Sequence, residues 1–509
     1  MKFTTSPPTG EVVFVFGSIA MKRGGVTRTI LARMRLYAQS GIPVRLLLTG
    51  QGFREDAEEA AIRKAWSLPD SVEIRYFWRE AAPGGGGAPV DPLVTAEDEP
   101  EFTTFPEPVG KSSKVIRFYS DGLLVKTKHF DPRGRIKRIE HHDAARRTVS
   151  QQHFDTSGRL VRTDGLDLET GNPTLCRWFD RSGSCWLTTW PNQEDHSTVS
   201  VRHRPDAVAY DHFGQCVAEW VDEVLADSEC PMLFSDTRNH DQVALAMKHP
   251  NVRRIAVLHN CHTARPYRAH DHLKGNYEHL LANLDAFDSV VVLTHRQQRD
   301  IERRFGATNL TVINHPTPPS PDLRVPRTPG LLVAVSRLAP QKRLEHAIRA
   351  FALAAPKVPH ARFDIYGTGP EAGTLKALVA KLGVGDLVQF RGFTQQALAK
   401  FAGATATVLS SWFEGFPLVL NEAMGVGTPF VAYDISYGPA EVIRHEVDGL
   451  LVPWDDIDAL AKAMVRVLGD PAYAAKLSER ARDVTERFSE ERWAREWSEL
   501  FAKLATGQP

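Results

Sequence analysis

The 509-residue sequence predicts an α/β protein with two parallel-sheet domains, the first interrupted by an antiparallel β-sheet insertion. Three observations predict it. Buried-strand runs alternate with amphipathic helical stretches near the start and through the second half, the pattern of a parallel sheet. Between about Lys114 and Val201 the texture changes to short alternating strands separated by turns rich in Asp and Gly. A Pro-rich stretch over residues 316–329 then separates two α/β blocks, and a chain of this length exceeds one ordinary core.

Val12-Val13-Phe14-Val15-Phe16 reads as a buried strand, residues 17–25 as a glycine-containing loop, and residues 26–40 as a helix with Ile30, Leu31, Met34 and Ala38 on its apolar side. Residues 43–48 give the next strand. Pro83-Gly84-Gly85-Gly86-Gly87-Ala88-Pro89 predicts a flexible linker, continued by an acidic, Pro-rich stretch to Val109. In the insertion a weak repeat recurs at an interval of roughly 24 residues, Phe130-Asp131-Pro132-Arg133-Gly134-Arg135, Phe154-Asp155-Thr156-Ser157-Gly158-Arg159 and Phe179-Asp180-Arg181-Ser182-Gly183-Ser184. Each copy reads as a strand end, a turn and a new strand of a β-meander. The α/β texture resumes near Asp206, with strands over residues 231–236, 254–259, 289–294 and 310–314. The second block has strands over 331–335, 362–366, 387–391, 406–410 and 430–433, and residues 478–504 read as helical. The expected division is 1–80 and 206–325 for the first domain, 81–110 for the linker, 111–205 for the insertion, 326–485 for the second domain and 486–509 for a C-terminal helix.

Composition excludes some classes. Sixty-two Lys and Arg balance 62 Asp and Glu, so the molecule as a whole is no general polyanion binder. Locally, residues 111–162 hold 13 Lys or Arg against 5 Asp or Glu, with His129, His141, His142 and His153. Such a surface would concentrate a polyanion, or it is a solvated sheet whose charges block edge pairing. The five cysteines, Cys176, Cys185, Cys216, Cys230 and Cys261, lack metal-ligand spacing and suit a reducing cytosol. The first residues lack a signal-peptide pattern, and no run of about 18 apolar residues could span a membrane, leaving peripheral contact open.

The chemistry concentrates in the second domain. Glu414 and Glu422 stand eight positions apart across Gly415-Phe416-Pro417, directly after the apolar run Ala406 to Ser410. The first carboxylate falls in the loop at a strand's carboxyl end and the second about two turns into the following helix. Ligands bind at that edge of open α/β sheets. Acids there can hold sugar hydroxyls and a ribose. Arg337 and Lys342 lie five apart on a strand-exit loop, where cations would meet a leaving diphosphate. Taken alone, this is as readily a solvated basic loop. Tyr366-Gly367-Thr368-Gly369-Pro370 follows another strand and allows close backbone approach. His259-Asn260-Cys261-His262 ends a strand of the first domain.

This constellation resembles the retaining GT-B glycosyltransferases of glycosyltransferase family four, whose fold is two Rossmann-like domains facing a cleft. The resemblance implies catalytic roles for Arg337, Lys342, Glu414 and His259. It implies donor contacts from Gly17, Gly24, Gly25, Gly367, Gly369, Phe393, Gly415, Phe416, Pro417, Glu422 and His262. Most members carry a Gly-Gly turn and a Glu where this chain has Ser436-Tyr437-Gly438-Pro439-Ala440-Glu441. That form, with the insertion, resembles bacterial wall teichoic acid α-glycosyltransferases acting on poly(glycerol phosphate) or poly(ribitol phosphate). The resemblance implies UDP-glucose or UDP-N-acetylglucosamine as donor, a polyanionic polyol-phosphate acceptor, no metal or other cofactor, a homotrimer held by the insertion, and a cytoplasmic protein, at the inner face of the membrane. A protein Ser/Thr, an exopolysaccharide or a lipid-linked sugar are alternative acceptors. A non-catalytic glycan-binding subunit is the reading from another class, and the retained Arg337, Lys342, Glu414 and Glu422 argue against it. Nucleic-acid binding is weaker still, because the insertion's aromatics sit at turn-repeat positions.

Overall fold

A computed structural model describes residues 10–17, 25–50, 55–109, 113–192, 197–318, 323 and 325–506. The chain forms two compact units that divide between residues 254 and 255.

In the first unit, β1 (Val12–Phe16), β2 (Val44–Leu48) and β3 (Val72–Tyr76) run parallel, with Val12 beside Val44 and Val44 beside Val72. All five residues of β1 are buried, which is why its sequence is continuously apolar rather than alternating. The helix Gly25–Gln39 covers the sheet through Ile30, Leu31, Met34 and Tyr37.

The insertion is a ten-stranded antiparallel sheet in which each strand pairs with its sequence neighbours. Its strands are β4 (Thr103–Val109), β5 (Ser113–Ser120), β6 (Leu123–Phe130), β7 (Ile136–His142), β8 (Thr148–Phe154), β9 (Leu160–Leu166), β10 (Pro173–Phe179), β11 (Cys185–Pro191), β12 (Thr198–Arg202) and β13 (Val208–Tyr210). After it, β14 (Met232–Ser235) returns to the parallel sheet beside β1, with Val12 opposite Met232.

The turns run at half the interval the sequence suggested. Asp131, Asp143, Asp155, Asp167 and Asp180 each accept backbone N–H bonds from the turn that follows, for example Arg133 N and Arg135 N on Asp131 Oδ1 at 2.9 and 3.0 Å. Asp143 and Asp167 lack the preceding Phe that marks the other three, so the sequence showed only the turns on one edge of the sheet. Four of the five turns place Gly at positive φ, whereas the Asp143 turn places Arg146 there at 63°. Arg146→Gly should therefore stabilise the protein by about 0.5–1 kcal/mol, read as a rise in Tm.

The stretch expected to be a flexible linker is instead tied into this sheet. Ala88 exchanges backbone hydrogen bonds with Leu160 at 2.7 and 2.9 Å, and Gly87 N donates to Phe179 O. Glu99 takes Lys126 at 2.6 Å and the fully buried Lys128 at 2.5 Å. Its residues read as linker from composition, but ion pairs and backbone bonds fix them, and the sheet begins at Thr103 rather than 111. Trp78 stacks on Trp178 at 3.4 Å, joining the insertion to the end of β3.

The insertion's basic excess is also smaller in effect than the count implies. Lys114, Arg117, Lys126, Lys128, Arg135, Arg138, Arg147 and Arg162 all hold carboxylates. Most of these cations are thus already paired, although Lys114, Arg117 and Arg147 keep exposed side chains.

The next strand, β15 (Arg253–Val257), begins at the unit boundary and runs parallel to β16 (Ser289–Val292), which runs parallel to β17 (Leu310–Val312), both in the second unit. A six-stranded parallel sheet follows: β18 (Leu331–Val335), β19 (Arg362–Tyr366), β20 (Val388–Gly392), β21 (Ala406–Leu409), β22 (Phe430–Tyr433) and β23 (Gly449–Val452), in the order β20-β19-β18-β21-β22-β23. The sequence reading omitted β23, a four-residue strand behind the Asp448-Gly449 turn. This order reverses between β18 and β21, and ligands of such sheets bind outside the strand ends at that point. The terminal segment, read as one helix, is three: Pro471–Ala481, Val484–Arg487 and Glu490–Ala505. Phe488 and the cap Ser489 break it, and Ser489 Oγ accepts from Arg492 N at 3.1 Å.

Candidate functional site

The loop after β18 carries Arg337 and Lys342; the loop after β21 carries Glu414. These are the two strand ends that flank the reversal of strand order. Lys342 Nζ donates to Glu414 Oε1 at 2.6 Å, and Ser411 Oγ donates to the same oxygen at 2.7 Å. The carboxylate is buried at 8% exposure, so an unpaired charge there would be costly and the pair fixes its position. The two loops are stitched by backbone as well. Trp412 N donates to Gln341 O at 2.9 Å, Gln341 Nε2 to Phe413 O at 3.1 Å, and Ser410 Oγ to Lys342 O and Arg343 O. Arg337 is exposed, with one contact to Gln341 Oε1 at 3.4 Å.

Glycines let three backbones touch here. A Cβ on Gly367, whose φ is 141°, would lie 1.8 Å from Ser336 O. One on Gly369 would lie 2.2 Å from Leu338 O, and one on Gly415 2.2 Å from His259 O. Gly415 therefore seats the Glu414 loop against the end of β15. His259 is half-buried and stacks on His315 at 5.7 Å, which meets Phe416 edge-on at 5.8 Å. Gly392 O accepts from Gly367 N, and Phe393 beside it is 72% exposed.

Lys342, Glu414, Gly415 and His259 thus come together, and Arg337, Gly367, Gly369 and Phe393 follow in a connected series. Pro417 caps the helix Leu418–Gly425, and Glu422, half-buried, stands in its second turn. Phe416 is buried and acts in packing. Gly17 follows β1 directly, and Gly25 opens the helix Gly25–Gln39, both in the first unit. Gly24 lies outside the described residues.

His262 departs from its expected donor contact. It is fully buried, stacked on Tyr437 at 5.9 Å, and neither ring nitrogen has a hydrogen-bond partner among the described residues. Burial, with the cations of Arg304 and Lys274, lowers its pKa from 6.5 to about 4. The folded state therefore holds it neutral while the unfolded chain protonates it. Its share of stability is complete above about pH 6.5 and is lost as pH falls toward 4. His262→Phe keeps the stack and should flatten the fall of Tm between those values. A residual slope remains from His240 and His346, both also lowered to about 4 by burial.

Sequence reasoning missed Ser411, Gln341 and Lys274. Lys274 Nζ donates to Cys261 O at 2.7 Å and sits 3.6 Å from the Phe413 ring centroid, and burial lowers its pKa. Among the described residues no group of three His, Cys, Asp or Glu could hold a metal ion.

Residues 320–484 match the family described as Glycosyl transferases group 1. Both strand-exit loops with their cations and carboxylates fall inside that span. This part of the chain is a group 1 glycosyltransferase domain. The whole chain aligns with a mutant of Staphylococcus aureus TarM in complex with fondaparinux, alpha-GlcNAc-glycerol and UDP, at TM-score 0.77 and 18% identity, covering 97% of this chain and 99% of that one. The fold is GT-B, with an antiparallel sheet inserted in the N-terminal region. A poly(glycerol-phosphate) alpha-glucosyltransferase from Bacillus subtilis is 24% identical over 400 residues, 76% of this chain and 56% of that protein. An exopolysaccharide phosphotransferase from Streptomyces coelicolor is 41% identical over 235 residues, 46% of this chain and 25% of that protein. The chain thus spans between a quarter and just over half the length of these two relatives. No helix among the described residues is long and apolar enough to cross a membrane.

Proposed function

We propose that the chain is a retaining glycosyltransferase that moves glucose or N-acetylglucosamine from a UDP-sugar to hydroxyls of a polyol phosphate. The observation that carries this is the Lys342–Glu414 pair at the strand-order reversal of the glycosyltransferase domain, with Arg337 on the same strand-exit loop as Lys342. The likeness over three quarters of the chain to a poly(glycerol-phosphate) alpha-glucosyltransferase supports the acceptor.

Glu414 holds the donor sugar through its hydroxyls, and Glu422 holds the ribose. His259 contacts the sugar near the face of transfer. The bond between the anomeric carbon and the diphosphate oxygen breaks, and Arg337 and Lys342 stabilise the charge left on UDP. Nζ carries three protons, so Lys342 can keep Glu414 while turning another toward phosphate. The acceptor oxygen bonds to the anomeric carbon on the same face, and its proton passes to the departing phosphate. No bound metal takes part. The protein acts in the cytoplasm, against the inner face of the membrane, as a trimer held by its insertion; a monomer by sedimentation at micromolar concentration would remove the trimer.

The test is a donor-by-acceptor screen. UDP-glucose and UDP-N-acetylglucosamine are each offered with poly(glycerol phosphate) and poly(ribitol phosphate), and the acceptor is weighed. A hexose or N-acetylhexosamine increment, unchanged by EDTA, is expected. Donor hydrolysis with no increment on either polymer would reject the acceptor.

An exopolysaccharide acceptor is the second reading, favoured by the 41% match to the Streptomyces coelicolor protein. Transfer to a neutral glycan in the same screen, with none to the polyol phosphates, would select it.

A further inference from the structure

Between β15 and the helix Gly275–Ala282 the chain makes a loop, residues 264–274, of sequence Ala-Arg-Pro-Tyr-Arg-Ala-His-Asp-His-Leu-Lys. It is firmly held. Thr263 bridges Leu273, Ala264 N donates to His272 O at 2.6 Å, and Lys274 N to His262 O at 2.9 Å. Arg304 braces the tip through Ala269 O and Asp271 O, at 3.2 and 2.6 Å. Tyr267, at φ 72°, turns its ring to 4.3 Å from Phe413.

The loop therefore grips Trp412 and Phe413, the two residues directly before Glu414. Lys274 sits on Phe413, and the Arg265 guanidinium lies 4.5 Å from the Trp412 ring centroid. Arg265 and Arg268 are exposed, and among the described residues neither guanidinium pairs with a carboxylate. That separates them from the insertion, where most cations are already paired. A fixed loop packed on Trp412 and Phe413 that offers two guanidiniums without a carboxylate partner, one of them on the Trp412 ring two residues before Glu414, is suited to a phosphodiester, which a guanidinium meets with two parallel hydrogen bonds.

Resting on the function proposed above, we propose that Arg265 and Arg268 grip a phosphodiester of the polyol-phosphate acceptor and so present a neighbouring hydroxyl to the donor sugar. Acceptor selection then lies in this loop, and not chiefly in the basic count of the insertion.

The test measures acceptor kinetics with poly(glycerol phosphate) in wild type, Arg268→Ala, Arg268→Lys and the double variant Arg265→Gln/Arg268→Ala. Only the backbone N of Arg268 is engaged in the fold, by Asp271, so its side chain can be removed cleanly. KM for the polymer should rise about tenfold or more in Arg268→Ala, the loss expected of one charge-assisted hydrogen bond, and further in the double variant. Here kcat at saturating polymer should hold, and Arg268→Lys should recover part of the loss. Raising salt should raise the wild-type KM more steeply than the double variant's. Wild-type transfer with unchanged KM in Arg268→Ala and the double variant overturns the loop assignment and leaves the function standing. A wild type that transfers to no polyol phosphate overturns both.

Discussion

Lys342→Ala is expected to lower the rate of transfer by roughly two to three orders of magnitude, the usual cost of removing one preorganised contact from a site of developing charge. Two effects combine. The departing diphosphate loses a cation, and Glu414 loses the partner that fixes it at 2.6 Å. With the Lys342 side chain 17% exposed, water can partly replace it, so the stability cost should be about 1–3 kcal/mol, below that of a dry buried pair. The measurement is kcat for sugar transfer beside a thermal melt. A folded variant turning over near the wild-type rate would remove Lys342 from the chemistry.

Gly415→Ala should lower kcat/KM by about a hundredfold, because a displacement of roughly 1 Å in a positioning element costs on that order. The new methyl carbon would stand 2.2 Å from His259 O and 2.6 Å from its carbonyl carbon, so one backbone must move. Either movement shifts Glu414 or the end of β15. The control is Gly373→Ala, in the helix Ala372–Lys381, where a Cβ meets nothing within 4 Å and a gain of about 0.4–1 kcal/mol is expected. Equal activity in the two variants would show that the Gly415 contact does not position the site.

What could be read in advance was local in origin. The strands at Val12–Phe16 and Leu331–Val335 declare themselves as apolar runs bounded by loops, and the carboxylates and cations follow their strands within a few residues. Ser411, Gln341 and Lys274 could not be found that way. Lys274 reaches Phe413 across 139 positions, a pairing set only by packing. Composition misled where tertiary contacts override it. The Gly-rich stretch is pinned by Leu160 and Phe179, and the insertion's cations are consumed by nearby carboxylates. His262 reads as a strand-end ligand in sequence because its burial against Tyr437, 175 positions away, is invisible there.

The Asp-capped turns of the insertion make its sheet a ruler. Each turn specifies its own hairpin from within about five residues, and within the sheet each strand bonds only to its sequence neighbours, while the stretch before the sheet ties in at Leu160 and Phe179. Inserting or deleting a pair of strands would move the far edge by about 10 Å without re-registering any other strand. Ten strands give a span of roughly 43 Å across the sheet from β4 to β13. Length, in this architecture, can be selected independently of chemistry: the reach of the insertion is free to drift by whole hairpins while the loops around Glu414 stay as they are.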